Sequence, residues 1–150
     1  MKMKMKMKMK ILFLLPILLL SLISCSSEIE SEIEGKTDSV VERGGLYYEE
    51  FSETPFTGKV TGKEQGRIKD GKKEGEWVGY WGNGQLMSKV SYKNGKEEGE
   101  WVGYHGNGQL SSKGSYKNGL WEGDWVEYYG DGTLYKRGTG TFKNGEKVSD

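Results

Sequence analysis

The sequence predicts an all-β fold, an antiparallel sheet made of consecutive β-hairpins. Three observations predict it: a 24-residue internal repeat, Asn-Gly dipeptides at fixed places within it, and apolar/polar alternation between those dipeptides. Self-similarity comes first, because a fixed period sets the whole architecture. GKKEGEWVGYWGNGQLMSKVSYKN begins at Gly71, GKEEGEWVGYHGNGQLSSKGSYKN at Gly95, and GLWEGDWVEYYGDGTLYKRGTGTFKN at Gly119. Trp77, Trp101 and Trp125 share one slot, and Tyr80, Tyr104 and Tyr128 another. Gly84, Gly108 and Gly132 share a third, and Leu86, Leu110 and Leu134 a fourth.

Each copy reads as a hairpin. In the first, one strand covers Trp77 to Trp81, and Asn83-Gly84 follows as a type I′ turn, which needs φ > 0 twice. The return strand covers Gln85 to Lys93, and Asn94-Gly95 leads into the next copy. On the return strand Leu86, Ser88, Val90 and Tyr92 share one face, and Met87, Lys89, Ser91 and Lys93 the other. Trp77 and Tyr80 lie three apart, so either a bulge realigns them or both faces carry aromatics. The third copy gains two residues near 138–141, and an even insertion leaves Phe142 on the face of Tyr92 and Tyr116. Upstream, Leu46–Phe51 and Pro55–Val60 read as a degenerate first hairpin, and Gly66–Gly71 leads into the first full copy. A poorer match suits a capping unit. The copies therefore span 45–70, 71–94, 95–118 and 119–144 within a repeat domain of 45–150. One hairpin is barely stable alone. A buried aromatic contributes roughly 4–6 kcal/mol before entropy, and stacking repeats that gain at each junction.

The N-terminal part is different. Lys2, Lys4, Lys6, Lys8 and Lys10 precede an apolar stretch from Ile11 to Ser24, the order of a signal peptide. Its fourteen residues would span about 21 Å as a helix, short of the ~30 Å hydrocarbon core, and Pro16 weakens a long helix further. Residues 1–24 are thus a helical signal peptide rather than a membrane span. The stretch ends in Leu22-Ile23-Ser24-Cys25, which resembles a lipobox, the cleavage motif of bacterial lipoproteins. The resemblance implies cleavage before Cys25 and diacylglyceryl on its sulfur, with membrane lipid as the first partner. Two or more acyl chains anchor stably where one does not. Cys25 is the only cysteine, so no internal disulfide can form. The resemblance further implies a lipid-anchored place in the cell envelope. With Ser26 and Ser27 next, that is the outer membrane if the cell has one, and otherwise the outer face of the plasma membrane.

Residues 25–44 read as the acylated cysteine and a flexible acidic tether, disordered because it is polar and like-charged. Its r.m.s. reach is about 25 Å. Beyond residue 24 the chain has 17 basic and 22 acidic groups, net −5, which gives no electrostatic reason to bind nucleic acid. One His excludes a His-rich metal site. No nucleophile–base set or strand-to-helix phosphate loop is visible, so neither enzyme chemistry, a cofactor nor a metal is expected. His105, in the slot of Trp81 and Tyr129, reads as a surface or stacking variant.

The pattern E-G-x-W-x-x-Y-x-x-x-G-x-L followed by Y-K-N-G-K-x-x-G resembles MORN repeats in their longer bacterial form of 24 residues, over 45–147. The resemblance implies an elongated, twisted sheet of successive hairpins acting as a scaffold for lipid or protein. Bacterial relatives are often labelled antitoxin components of toxin–antitoxin systems, which implies an immunity role as one alternative. Trp–Tyr–Gly hairpins of this length are also similar to choline- and glucan-binding repeats, which implies cell-wall glycan as the other. The expectation is a non-catalytic interaction module for a protein partner. Its candidate binding surface is Trp77, Tyr80, Trp101, Tyr104, Trp125 and Tyr128.

Overall fold

Twelve strands follow one another in a computed structural model, which describes the backbone at residues 34–36 and the chain from 39 to 150. The signal peptide, the Leu22-Ile23-Ser24-Cys25 motif and most of the tether lie outside these residues. The strands are β1 (Glu34–Lys36), β2 (Val40–Arg43), β3 (Leu46–Glu49), β4 (Gly58–Thr61), β5 (Glu64–Lys69), β6 (Lys72–Tyr80), β7 (Leu86–Lys93), β8 (Lys96–Tyr104), β9 (Leu110–Lys117), β10 (Leu120–Glu127), β11 (Gly140–Lys143) and β12 (Glu146–Ser149). β1 and β4 to β12 form one sheet, in the order β1-β4-β5-β6-β7-β8-β9-β10-β11-β12. Apart from the parallel β1–β4 pair, every neighbour is antiparallel and sequential. The consecutive-hairpin fold is therefore the fold of the protein.

Two kinds of turn alternate along it. Asn94-Gly95 joins β7 to β8 with φ of 53° and 82°, and Asn118-Gly119 and Asn144-Gly145 repeat this geometry. These are the type I′ turns. Asn83-Gly84 is not one, because only Gly84 has positive φ. There the Gly84 amide bonds the Trp81 carbonyl and the Trp81 amide bonds the Gln85 carbonyl, a type I turn closed by a left-handed glycine. The Asn83 Oδ1 accepts the Gln85 amide at 3.0 Å, and Asn107 and Asp131 do the same for Gln109 and Thr133. This side-chain turn holds Asn83 in the right-handed region, which corrects the sequence expectation.

The type I′ turns are tied back to the sheet. Glu74 accepts the Asn94 amide at 2.8 Å, Glu98 the Asn118 amide at 2.8 Å, and Glu122 the Asn144 amide at 3.0 Å. Thr57 does the same for Asp70. The glutamate of each E-G-x-W motif therefore holds the turn of the next junction. Its glycine sits in a bulge: β6 advances four residues from Glu74 to Val78 while β5 advances two, and Gly75 has φ of 70°.

In two of the three copies the tryptophan lies back over the preceding strand. A Cβ on Gly66 would lie 2.3 Å from the Trp77 ring, and one on Gly114 would lie 2.2 Å from the Trp125 ring. The two glycines are seats into which the indoles fit. The equivalent residue of β7 is Val90, which is buried and leaves Trp101 no seat. Trp101 instead turns forward, and its Nε1 donates to Ser112 Oγ at 2.8 Å. Trp77 and Trp125 donate backward, to the carbonyls of Arg67 and Ser115. Phe56, Val60, Ile68, Trp77 and Val90 form the main buried cluster, with Val40, Tyr47, Tyr92, Trp101 and Tyr116 packed against it. Trp125 and Phe142 are buried beyond it, joined through Trp121.

Three boundaries differ from expectation. Leu46–Glu49 pairs along its length with Val40–Arg43, and meets the Pro55–Val60 segment only through the Tyr48–Pro55 bridge and the Phe56 amide that donates to the Tyr47 carbonyl. Gly44-Gly45, both at positive φ, makes the tight turn between them. The first copy's hairpin is then β4–β5, with Val60 opposite Gly66 as Trp77 is opposite Val90. The stretch read as a flexible tether to residue 44 holds β1 and β2, because Val40 and Tyr47 find apolar cover on the main cluster. In the third copy the return strand is only Gly140–Lys143, since residues 136–138 form a turn. Phe142 still meets Gly123, as Tyr116 meets Gly99.

Gly66→Ala and Gly114→Ala should each destabilise the sheet by about 1–3 kcal/mol through overpacking, read as a lower urea midpoint. Gly82→Ala, with nothing within 4 Å of its Cβ position, should change stability by less than about 0.5 kcal/mol. Equal midpoints in all three would refute the seat. In the same assay Glu98→Ala should cost about 1 kcal/mol through the lost turn bond. Glu100→Ala, which holds no turn, is the reference, and Glu98→Ala costing no more than it would remove the turn-holding role.

Candidate interaction surface

The two faces of the sheet are chemically distinct. On β6 the backbone runs unbroken from Trp77 to Tyr80, and the register shift nearby falls on β7 at Met87. Alternation then sends Trp77 and Tyr80 to opposite faces. Both faces carry aromatics, which resolves the choice that the sequence left open.

On the tryptophan face, Trp77 is 4% and Trp125 3% exposed. Trp101 is half-buried. The indoles are covered by the residue four positions earlier. Lys73 Nζ lies 4.2 Å above the Trp77 ring and 5.2 Å from the Tyr92 ring, a cation–π arrangement. Its charge is met by Glu64 at 3.0 Å. Trp121 stacks on Trp125 at 4.3 Å with an interplanar angle of 14°. In the middle copy the same slot is Glu97, which reaches the Tyr92 hydroxyl at 3.4 Å. A groove remains beside these groups, lined by Glu64, Lys73, Trp77, Ser88, Tyr92 and Trp101. Of the candidate surface, therefore, Trp77 and Trp125 are interior residues with their indole faces already occupied. Trp101 is the one of the three that is not closed over.

Burial pushes the Tyr92 hydroxyl well above the usual phenol range, and the Glu97 carboxylate beside it adds to the effect. Tyr116 and Tyr47 are raised too, again mainly by burial. Burial also pushes the Glu127 carboxyl up from its ordinary value.

The opposite face carries Tyr80, Tyr104 and Tyr128, all half-buried. Beside them Val78, Lys89, Val102, Lys113 and Val126 stand directly opposite one another across five strands, β6 to β10. Lys89 is 48% exposed and pairs with Glu76 at 2.7 Å. The repeat of this pattern is two strands, about 9.6 Å. The β2–β3 hairpin packs on the tryptophan side through Val40 and Tyr47, so it does not shade the valine–lysine row.

The long-loop edge is stitched between copies. Trp81 Nε1 donates to the Tyr104 carbonyl at 3.0 Å, and His105 Nε2 meets the Tyr128 carbonyl at 2.8 Å. Asn83 and Asn107 reach the carbonyls of Gly106 and Gly130. His105 thus takes over the donor role of an indole N–H. Among the described residues no group of three or more His, Cys, Asp or Glu is placed to hold a metal ion.

Sequence reasoning missed two residues here. Lys73 was legible as an alternative occupant of the slot that also holds Glu97 and Trp121. Glu127 was legible as an acid in the slot of Gly79 and Gly103.

The MORN repeat variant matches residues 73–94 and 97–118, less than a third of the chain. These are the two regular copies, so the repeat type is established there. The third copy, with Leu120-Trp121, Glu127 and two extra residues, lies outside the matches. Repeats of this kind point to a repeat-based interaction module. No curated protein and no solved structure matches the chain.

A raised tyrosine pKa means that the folded protein holds the neutral phenol more tightly than the unfolded chain does. That stabilisation is complete below the ordinary value of about 10 and is lost as pH rises from there through the folded value. Tyrosinate absorbance should therefore show a late-titrating class that shrinks in Tyr92→Phe, and the variant's stability should fall less steeply above pH 10. An unchanged late class would mean that Tyr92 is not held this way.

Proposed function

We propose that the protein is a lipid-anchored envelope lipoprotein whose hairpin sheet is a non-catalytic scaffold for a protein partner. The observation that carries the scaffold reading is the in-register row Val78–Lys89–Val102–Lys113–Val126 with Tyr80, Tyr104 and Tyr128 beside it. Apolar, cationic and phenolic groups recur there at one spacing on one face. Interfaces favour such groups, because tyrosine supplies a large contact area at low entropic cost and flanking charges fix register. The repeated copies lengthen that surface without any new fold element. The anchor reading is supported by Cys25, placed where the apolar leader ends. The partner it implies meets the protein outside the cytosol, and an immunity role against a secreted toxin would use the same face.

Two measurements test the two halves. A palmitate analogue should label the wild type and leave Cys25→Ala unlabelled; label on both, or on neither, removes the anchor. Cross-linking in native membranes should capture a stoichiometric partner with the wild type. Capture should drop about tenfold in a Lys89→Glu/Lys113→Glu variant, since like charge opposed across an interface costs several kcal/mol. Equal capture by the variant would place the partner elsewhere.

A further inference from the structure

The repeat is broken once in a chemically pointed way. The slot two residues after each tryptophan holds Gly79 and Gly103 in the regular copies and Glu127 in the last. Both glycines are buried, and a Cβ on Gly103 would fall 2.8 Å from Ser112 Oγ. In the last copy the room for a side chain there is made by Gly138: its Cβ would fall 1.6 Å from Glu127 Oε2. The two-residue insertion that shortens β11 thus also creates the space that the carboxyl fills.

Around Glu127 lies an open cleft, lined by His105, Ser111, Ser112, Tyr128, Tyr129 and Tyr135. Ser112 stands directly opposite Glu127 on β9. Tyr129, 52% exposed, and Tyr135 meet edge to face at 5.1 Å. His105 is committed through Nε2 to the Tyr128 carbonyl, and Ser112 Oγ already accepts the Trp101 N–H. Among the described residues Glu127 has no ion-pair partner, and burial alone accounts for its raised pKa. The chain from 118 to 135 contains Glu122, Asp124, Glu127 and Asp131 and no Lys or Arg; Lys136 and Arg137 follow, and neither forms an ion pair with Glu127 among the described residues. A half-buried acid beside exposed rings in an acidic stretch favours a cation.

The protein satisfies the same chemistry internally at its other end. There a lysine ammonium, Lys73, sits over Trp77 and Tyr92 and pairs with Glu64 at 3.0 Å. The residues equivalent to Lys73 in the next two copies are Glu97 and Trp121. The last copy therefore has the acid and the rings without a lysine in the covering slot. We infer that the Glu127 cleft is a binding site for a primary ammonium, the side chain of a lysine on the protein partner. Three N–H donors suit Glu127 and the hydroxyls of Ser111 and Ser112, while Tyr129 and Tyr135 offer ring faces and edges to the methylene stem.

The site lies on the face opposite the valine–lysine row and rests on the scaffold reading only for the identity of its occupant, but it is tested without the partner. The probe is Nα-acetyl-lysine methylamide, titrated into the full-length chain in detergent micelles and followed by the amide signals of Ser112 and Gly138. Saturable shifts at both are expected. Glu127→Gln should weaken them by about tenfold or more, the worth of one charge-assisted bond, and Tyr129→Leu by a smaller factor. Glu76→Gln, on the other face, should bind as the wild type does. The Nε-acetylated probe should not bind. Glucosamine, which carries an ammonium without the lysine stem, should bind distinctly more weakly. Equal binding by wild type and Glu127→Gln, both with unchanged melting temperature, overturns the site. So does equal binding by the acetylated probe, and equal binding by glucosamine overturns the lysine assignment. Failure of this titration leaves the membrane cross-linking result standing, so the two proposals fail separately.

Discussion

The fold depends on an indole lying flat on a glycine of the strand before it. A sheet of hairpins has little interior, and a single layer buries apolar groups only by laying them along its own surface. Trp77 over Gly66 and Trp125 over Gly114 solve this by removing the side chain beneath, so that a ring contacts backbone directly. Lys73 and Trp121 close the rings from above. Trp77 and Trp125 are thereby packed on both ring faces, and Tyr92 and Tyr116 meet their edges. Their burial to 3–4% follows from those contacts together, with Val40 and Tyr47 of the β2–β3 hairpin packed on the cluster that holds Trp77.

Much of this was legible in the sequence. The 24-residue period, the hairpins and the in-phase return of Phe142 all come from side-chain alternation, which a regular sheet obeys. What was not legible came from backbone geometry that residue identity underdetermines. Asn-Gly appears twice in each of the two regular copies, yet it makes a type I′ turn at Asn94-Gly95 and a type I turn with a left-handed glycine at Asn83-Gly84. The difference lies in whether the Asn side chain caps the amide two residues on. The hidden pairing of Leu46–Glu49 with Val40–Arg43 had a signal in Gly44-Gly45, overshadowed by the acidity of the stretch before it. The candidate surface was half legible. The tyrosine slot lies on the open face, while Trp77 and Trp125 are spent on the core. Aromatic identity alone does not separate a ring that binds from a ring that packs.

The middle copy shows what happens when the seat is lost. Val90 in the glycine position and Glu97 in the covering position leave Trp101 with neither contact, and it turns forward onto Ser112. The strand register is unchanged: Trp101 still faces Gly114 as Trp77 faces Val90. Backbone pairing is thus insulated from the side-chain arrangement above it. That insulation lets individual slots vary without cost to the ladder.

Variation is accordingly concentrated in a few slots rather than spread along the strands. The covering slot reads Lys73, Glu97, Trp121, the loop slot Trp81, His105, Tyr129, and the slot after the tryptophan Gly79, Gly103, Glu127. The loop slot keeps one hydrogen bond through a change of residue type, since His105 reaches the Tyr128 carbonyl as Trp81 reaches that of Tyr104. The slot after the tryptophan is different, because Glu127 adds a charge that the sheet does not neutralise. A substitution that preserves a bond maintains the scaffold. One that introduces an uncompensated charge into a half-buried place costs stability unless something outside the sheet meets it. On the reading proposed above, that makes the last copy, the least regular of the three, the one that calls for something outside the sheet, while the regular copies keep every slot satisfied within it.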